Sequence, residues 1–510
     1  MIGTAHMSSV KHPPHARNLA ALLEGIVAEV PAHAVVSDLT IDSRNVQPGG
    51  AFVALSGARA HGLAFLQQAL SRGASAVLWE PAAGVAVPHA PANVAMVCVA
   101  NLPSALGAIA DRFFDSPSDV VRVAAVTGTN GKTTTAYMLA DALEKLGVGS
   151  AYAGTLGFGR IGAVQARPHT TPDCITVHRE LAELRDAGVR CVGMEVTSHA
   201  LEQHRVAGVR FKSAAFTNLT RDHLDYHGTF EAYGEAKARL FDWPTLEHAI
   251  INIDDAFGRT LVARVKNASV TVCGREASAF KAGADTRHVL ASRFAAEPVG
   301  LSIDIESSWG RARMHSRLIG AFNVDNVLAV LGTLLSSGVA LSDAVQALER
   351  CAAPPGRMEM LTAPGKPLAV VDYAHTPDAL EKALRAVRAH CTGQLYCVFG
   401  CGGERDPGKR PMMGAIAEAG ADVVVVTDDN PRGEDGDAIV ADIVRGLNAP
   451  AQAIVQRDRA AAIELAIAQA SAGDAVLIAG KGHEDYQIVG ATKRSFSDRD
   501  VALAALGRRS

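Results

Sequence analysis

The residues best suited to chemistry begin at Gly128. The run Gly128-Thr129-Asn130-Gly131-Lys132-Thr133-Thr134 follows an apolar stretch, Val121 to Val126, and opens a helical pattern, Lys132 to Leu146. Glycines there permit backbone angles closed to other residues. Main-chain N–H groups and the N-terminus of the helix can then face an anion. Lys132 can bridge the outer phosphates of a nucleotide, and the Thr133 hydroxyl can coordinate Mg2+. Only Thr129 and Asn130 separate the two glycines, fewer than the usual phosphate-loop pattern has. A Gly-rich turn with an incidental lysine is the plain alternative. The agreement of strand, glycines, lysine, threonine and helix, in that order, argues against it.

Three more groups could serve the same chemistry. Glu195 ends a strand-like run, Cys191 to Val196. In a parallel sheet it would lie beside the phosphate loop and offer Mg2+ the oxygen it prefers; the alternative is a strand-end salt bridge, and position alone does not choose. Between Thr217 and Gly228 the chain packs Asp222, His223, Asp225 and His227 together. This reads as a site with His223 as metal ligand, although Asp222 and Asp225 can equally cap a helix. Lys237, in the helical pattern Phe230 to Phe241, is by composition an ordinary surface lysine.

Positioning these groups requires strands alternating with helices, which predicts an α/β fold with parallel sheets covered on both faces. The first segment, 1–102, holds a strand at Ala51 to Leu55 and a Pro-rich loop, Pro81 to Pro91. The second, 103–353, holds a helix from Ser104 to Phe114, the phosphate loop, strands around Val192, Ala214 and Ala249, a β-rich stretch from Ser269 to Arg317 and a helix from Gly320 to Leu335. The third, 354–510, starts at Pro354-Pro355-Gly356 and carries strands at Leu368–Asp372, Leu395–Phe399, Asp422–Thr427 and Asp474–Ala479. In such an open sheet, ligands bind beyond the carboxyl ends of the strands.

Composition limits the alternatives. A chain of 510 residues exceeds a single core and calls for about three domains. Net charge is -4, without the basic footprint of a nucleic-acid binder. No apolar run is long and uncharged enough to span a bilayer, so no membrane insertion is expected. Met1 to Arg17 has no apolar h-region and is expected to be a disordered leader, with Met7 as an alternative start. The eight cysteines form no Cys-x-x-Cys pair and read as reduced, buried thiols of a cytoplasmic protein.

With these clusters in hand, the chain resembles the Mur ligases nearly end to end, and among them those that use diaminopimelate. The motifs carrying the resemblance are Asp42-Ser43-Arg44, the phosphate loop, Glu195-Val-Thr-Ser-His-Ala, Asn218-Leu-Thr-Arg-Asp-His-Leu-Asp-Tyr-His-Gly228, Gly356-Arg-Met-Glu359, Asp372-Tyr-Ala-His375, Asp429-Asn-Pro-Arg432 and Gly480-Lys-Gly-His-Glu484. The resemblance implies a three-domain architecture: a UDP-sugar domain, a central P-loop parallel-sheet ATPase domain and a C-terminal Rossmann-like domain. It implies three substrates, ATP, UDP-MurNAc-L-Ala-D-Glu and meso-diaminopimelate, and a monomer. It also implies two Mg2+ sites and a CO2-derived carbamate on Lys237, with Thr133, Glu195, His223 and Lys237 as metal ligands.

Roles follow residue by residue. Ile41, Ser43, Ala58, Arg59 and Ala60 are implied at the uridine end. Thr170, Thr171, Thr197, Gln203 and Arg205 are implied at the muramoyl peptide, with His169 standing where relatives carry Asn. Asn323, Arg357, Asp372 and His375 are implied at ATP beside the phosphate loop. Arg405, Asp429, Asn430, Pro431, Arg432, Gly480 and Glu484 are implied at diaminopimelate, where Arg432 can make a bidentate pair with the distal carboxylate that lysine lacks. The implied reaction activates a carboxylate as an acyl phosphate and lets an amine displace phosphate, with the third domain closing on the second. Folylpoly-γ-glutamate synthetase shares the phosphate loop but has no need of Asp429 to Arg432. A nucleotide-driven switch would have no need of Glu195, His223 and Lys237 together.

Overall fold

A computed structural model describes residues 16–31, 34–57, 60–275 and 286–507. Ala58, Arg59 and all but the end of the expected leader lie outside the described residues.

Among the described residues, the largest sheet has ten strands. Its parallel centre runs in the order Ser269–Gly274, His248–Asn252, Phe211–Phe216, Arg122–Thr127, Cys191–Glu195, Ser150–Gly154. These strands are near-continuous apolar runs, as burial on both faces demands. One face packs on the helices Lys132–Lys145 and Phe322–Ser336 through Met138, Leu139, Val327 and Leu331. The other packs on Cys174–Asp186 and Phe230–Ala238 through Val177, Leu181, Tyr233 and Ala238. The β-rich stretch forms an extension: Arg287–Ala296 joins the sheet in parallel, and Leu301–Ser307 and Gly310–Ser316 follow antiparallel. Register sets Glu195 beside Val126 and Phe216 beside Thr127, so three strand ends converge on the loop 128–131.

The first sheet is a four-stranded parallel one, Leu39–Thr40, Ala51–Ala54, Ala76–Trp79 and Ala95–Cys98. The helix Leu102–Phe113 sinks Leu102, Leu106, Ile109 and Phe113 into its core, and Cys174 and Ile175 join from the neighbouring helix. Arg179 ties the two units by donating to Asp38 Oδ1 at 2.9 Å and to the Leu39 carbonyl at 2.7 Å.

The third sheet has six strands among the described residues, in the order Glu359–Leu361, Leu368–Asp372, Ala475–Ala479, Leu395–Phe399, Val423–Val426, Ile454–Val455; all pairings but the first are parallel. Separate apolar layers cover its two faces, which makes it a doubly wound, Rossmann-like unit. Five cysteines are buried as expected; Cys98 is exposed, and Cys191 and Cys391 are half-buried. Among the described residues no helix is long and apolar enough to cross a membrane.

Candidate functional site

Between the strand Arg122–Thr127 and the helix Lys132–Lys145, the loop turns on two left-handed glycines, Gly128 (φ +146°) and Gly131 (φ +83°). A Cβ on Gly128 would meet Thr217 Oγ1 at 1.9 Å, and one on Gly131 would meet Asn326 Oδ1 at 2.3 Å. Both glycines are therefore required by angle and by space. The next strand's end buttresses the loop: Thr129 N–H donates to the Asn218 carbonyl (2.8 Å), Asn130 N–H to Asn218 Oδ1 (3.0 Å) and Thr217 Oγ1 to the Asn130 carbonyl (2.6 Å). With the loop fixed, the first-turn N–H groups of the helix, including those of Thr133 and Thr134, are presented to an anion.

Two lysines cross this loop. Lys132 Nζ donates to the carbonyls of Gly128 (2.9 Å) and Thr129 (2.8 Å). Lys237 Nζ donates to the same Gly128 carbonyl at 2.8 Å and stands over the Tyr233 ring. Lys237 is 1% exposed, so the surface lysine expected from composition is a core residue. Its helix, Phe230–Ala238, turns that face into the sheet, and one residue's composition carries no sign of this. Desolvation first, and Lys132 second, push the Lys237 amine well below the usual lysine range. Burial also lowers Lys132.

Glu195 is fully buried and forms no salt bridge among the described residues. Instead its carboxylate accepts from Thr133 Oγ1 (3.0 Å), Thr155 N–H (2.9 Å) and the Tyr152 hydroxyl, whose own ionisation is pushed well up by burial and by Glu195. Hydroxyl and carboxylate side by side form an oxygen-rich pair suited to Mg2+.

A cavity of about 260 Å3 opens next to the loop, lined by Lys132, His169, Thr170, Thr171, Thr197, Arg205, His223 and Lys237 together with Ser198, His199 and Tyr233. Thr171 Oγ1 donates to the Glu195 carbonyl at 2.8 Å, and Thr170 Oγ1 meets Thr155 Oγ1 at 3.1 Å. Arg205 is aimed by Gln203 Oε1, at 2.6 and 3.0 Å, and by the Thr171 carbonyl at 3.1 Å. His223 heads the short helix Leu224–His227 with a left-handed backbone and packs edge-on against His199. Neither Asp222 nor Asp225 caps that helix; Asp222 Oδ1 accepts the His223 N–H instead. His227 is bound to Ser198 Oγ at 3.0 Å.

The carboxyl ends of the third sheet gather the remaining groups. Arg405 is exposed, and Arg432 has a left-handed backbone (φ +52°), a costly angle for a non-glycine residue. That angle is held by Arg432 N–H donating to the Ile488 carbonyl and Gly490 N–H donating to the Arg432 carbonyl, while Nη1 donates to the Gly403 carbonyl at 2.8 Å. Pro431 packs its carbonyl where a Cβ on Gly403 would fall. Asp429 is buried, which raises its carboxyl, and a Cβ on Gly480 would meet its Oδ2 at 2.7 Å. Asn430 Nδ2 donates to Glu484 Oε2 at 2.9 Å.

Between the two sheets, Asp372 accepts the N–H groups of Met358 (2.8 Å) and Ala374 (2.9 Å), and the Arg357 guanidinium stacks over Tyr373. Burial lowers the Lys132 amine first, and the Arg357 charge adds to that lowering. His375 is exposed, its Nδ1 on the Tyr373 carbonyl. Asn323 is buried and accepts from Asn326 Nδ2 at 2.8 Å. Ser43 Oγ donates to Gln68 Oε1 at 2.7 Å in the first domain, where Ile41 is exposed and Ala60 borders undescribed residues. These three do not line the cavity beside the loop.

Several contributors have no role of their own from sequence, although Asn218 and His199 lie within motifs quoted above: Asn218 and Asn326 against the loop, Tyr152 and Thr155 on Glu195, and His199 and Tyr233 in the cavity. Asn326 carried a usable signal, since it lies one helical turn after Asn323 and so on the same face.

Fold and site define an α/β protein with three main sheets among the described residues, the central one carrying a phosphate loop at its strand ends. The chain belongs to the Mur ligase family: three family descriptions match in tandem, "Mur ligase family, catalytic domain" over residues 35–114, "Mur ligase middle domain" over 126–334 and "Mur ligase, glutamate ligase domain" over 356–482. It is 52% identical over 472 residues to the UDP-N-acetylmuramoyl-L-alanyl-D-glutamate–2,6-diaminopimelate ligase of Xanthomonas campestris pv. campestris, covering 92% of this chain and 94% of that one. The same-named ligase of Xylella fastidiosa is 50% identical over 483 residues, covering 93% and 95%. A solved structure of a ligase with that name superposes with a TM-score of 0.71 at 34% identity, covering 96% of this chain and 99% of that one.

Proposed function

We propose that this chain is an ATP-dependent amide-bond ligase that adds meso-diaminopimelate to UDP-MurNAc-L-Ala-D-Glu, as a cytoplasmic monomer supplying peptidoglycan precursor. The observation carrying the reading is that Lys132 and Lys237 line the same cavity as Thr170, Thr171, Thr197 and Arg205, which brings a phosphate grip and a carboxylate grip together.

The D-glutamyl γ-carboxylate attacks the γ-phosphorus of ATP. The bond from that phosphorus to the bridging oxygen breaks, ADP departs and an acyl phosphate forms. The diaminopimelate amine, having lost a proton, attacks the acyl carbon, and the tetrahedral intermediate expels phosphate. Lys132 holds the outer phosphates, and its acceptors are neutral carbonyls rather than carboxylates, so its charge is available to them. Arg205, steadied by Gln203 and Thr171, orients the reacting carboxylate. This is catalysis mainly by positioning and charge compensation.

Thr133 and Glu195 would hold one Mg2+, and His223 with a carbamylated Lys237 a second; bound there, the ions neutralise crowded phosphate and carboxylate oxygens. The buried, acidified amine of Lys237 supports carbamylation, because a neutral amine is the form that attacks CO2. In the third domain, Arg432 and Arg405 offer cations to the carboxylates of the amino acid, and Glu484 an acceptor to its ammonium. The UDP-sugar is assigned to the first domain, whose core takes in the helix Leu102–Phe113 beyond the expected boundary at 102, and the amino acid to the third, from 354 on.

A folylpoly-γ-glutamate synthetase or a nucleotide switch makes different predictions for ADP. Purified protein given ATP, Mg2+, the UDP-linked dipeptide and diaminopimelate should turn over ADP continuously only when both acceptor and amino acid are present, with at most a single-turnover burst from ATP and dipeptide alone, and mass spectrometry should show the tripeptide. ADP release that needs neither, or no amide product in any combination, overturns the reading.

A further inference from the structure

Lys481 lies between two residues assigned above to the amino-acid pocket, yet no role has been given to it. It is fully buried, so its ammonium has no water to solvate it. Such a group is costly unless its hydrogens find strong acceptors. Lys481 Nζ donates to Glu484 Oε2 at 2.8 Å and to Asn430 Oδ1 at 3.2 Å. The Ile488 N–H donates to that same Asn430 oxygen at 2.9 Å. An ammonium and a backbone N–H can only donate, so together they fix which end of the Asn430 amide is oxygen. The amide nitrogen must then face Glu484, and it does, at 2.9 Å.

The consequence falls on Glu484. Its Oε2 receives two donors, whereas Oε1 has no hydrogen-bond partner among the described residues. The carboxylate is thus clamped by one oxygen and offers the other, and the side chain keeps 17% exposure. A clamped acceptor loses little freedom when a ligand ammonium arrives.

We propose that Lys481 is a positioning residue for the incoming amino acid, locking the Asn430 amide and one oxygen of Glu484 so that the other oxygen accepts the ligand's ammonium group. This rests on the reading of Glu484 as part of the diaminopimelate pocket. Lys481 touches no substrate. It acts through its two neighbours, so its effect belongs to the KM for diaminopimelate and not to the KM for ATP or the UDP-dipeptide.

The test is a double-mutant cycle with Lys481→Met and Glu484→Gln in the full-length enzyme, reading the three KM values, kcat and thermal melting. Methionine replaces the lysine stem without its charge. Each single variant should raise KM for diaminopimelate about tenfold or more, with the other two KM values within about twofold. The double variant should be no worse than the worse single, because the clamp has nothing left to hold. If Glu484→Gln leaves KM for diaminopimelate unchanged, the pocket assignment itself falls. If Glu484→Gln raises it but Lys481→Met does not, or if the two losses multiply, the role of Lys481 alone is overturned. Should Lys481→Met fail to fold, Lys481→Gln gives the same readout with a polar, uncharged side chain.

Discussion

Lys132 and Lys237 share one acceptor: both ammonium nitrogens donate to the carbonyl oxygen of Gly128, at 2.9 and 2.8 Å. Two cations on one neutral oxygen repel each other, and burial amplifies the repulsion by removing water. The least costly relief is for Lys237, 1% exposed and with no carboxylate hydrogen-bonded to it among the described residues, to be neutral. Carbamylation goes further and converts that position to an anion, which turns repulsion from Lys132 into attraction.

Lys237 should therefore carry a carbamate in the working enzyme. With 13C-labelled bicarbonate, NMR should show a carbamate signal that Lys237→Ala abolishes, and activity of the variant should fall by about 10²-fold or more. A fully active Lys237→Ala enzyme would remove the carbamate from the mechanism.

Lys132→Ala should leave folding intact, since the residue's hydrogen bonds are to carbonyls of its own loop. ADP release should drop by about 10³-fold, in line with loss of a group that compensates charge in the transition state. Circular dichroism and thermal melting verify the fold, and a coupled ADP assay reads the chemistry.

Much of this was legible in the sequence for a physical reason. Strands buried on both faces are continuous apolar runs, and Leu368–Asp372 and Leu395–Phe399 stand where they were expected. The β-rich stretch and the helix that follows it were legible too. The phosphate loop announced itself because its backbone angles need glycine. Lys237 did not, because its burial depends on how one helix face meets a distant loop. Asn326 is similar: its part depends on an approach to Gly131 across 195 positions of chain, read as 326 minus 131, which local pattern cannot encode.

Arg432 should govern the choice of amino acid. Arg432→Ala should raise KM for diaminopimelate by about 10- to 100-fold, as expected for a lost charge-assisted pair. The preference over lysine should shrink with it, because lysine never had the distal carboxylate to lose. Competition assays with both amino acids measure the ratio; an unchanged ratio places the discrimination elsewhere.

Arg459 and Asp498 form a fully buried pair, with Nε and Nη2 donating to the two carboxylate oxygens at 2.7 and 2.8 Å. Arg459 Nη2 also donates to the Ala479 carbonyl at 3.0 Å, tying the last helix, Asp498–Ala505, to the strand that leads into Gly480. Asp498→Asn strands a buried charge and should destabilise the third domain by about 3–5 kcal/mol. Arg459→Met combined with Asp498→Leu should recover much of that, because no unpaired charge remains. Urea unfolding followed by a probe in the third domain distinguishes the two.

His483 supplies a pH signature. Burial, reinforced by the Arg357 charge, pushes its imidazole down to about 4 from an ordinary 6.5. Between these values the unfolded chain binds a proton that the folded one refuses, so stability falls as pH drops through this window and the slope from His483 vanishes below about 4. Above 6.5 both states are neutral and His483 contributes no slope. His483→Gln cannot titrate, so the difference between wild-type and variant stability should change across that window and be flat on either side. Chemical unfolding at a series of pH values reads the difference directly, and a flat difference throughout would show that His483 is protonated in the folded protein as readily as in the unfolded chain.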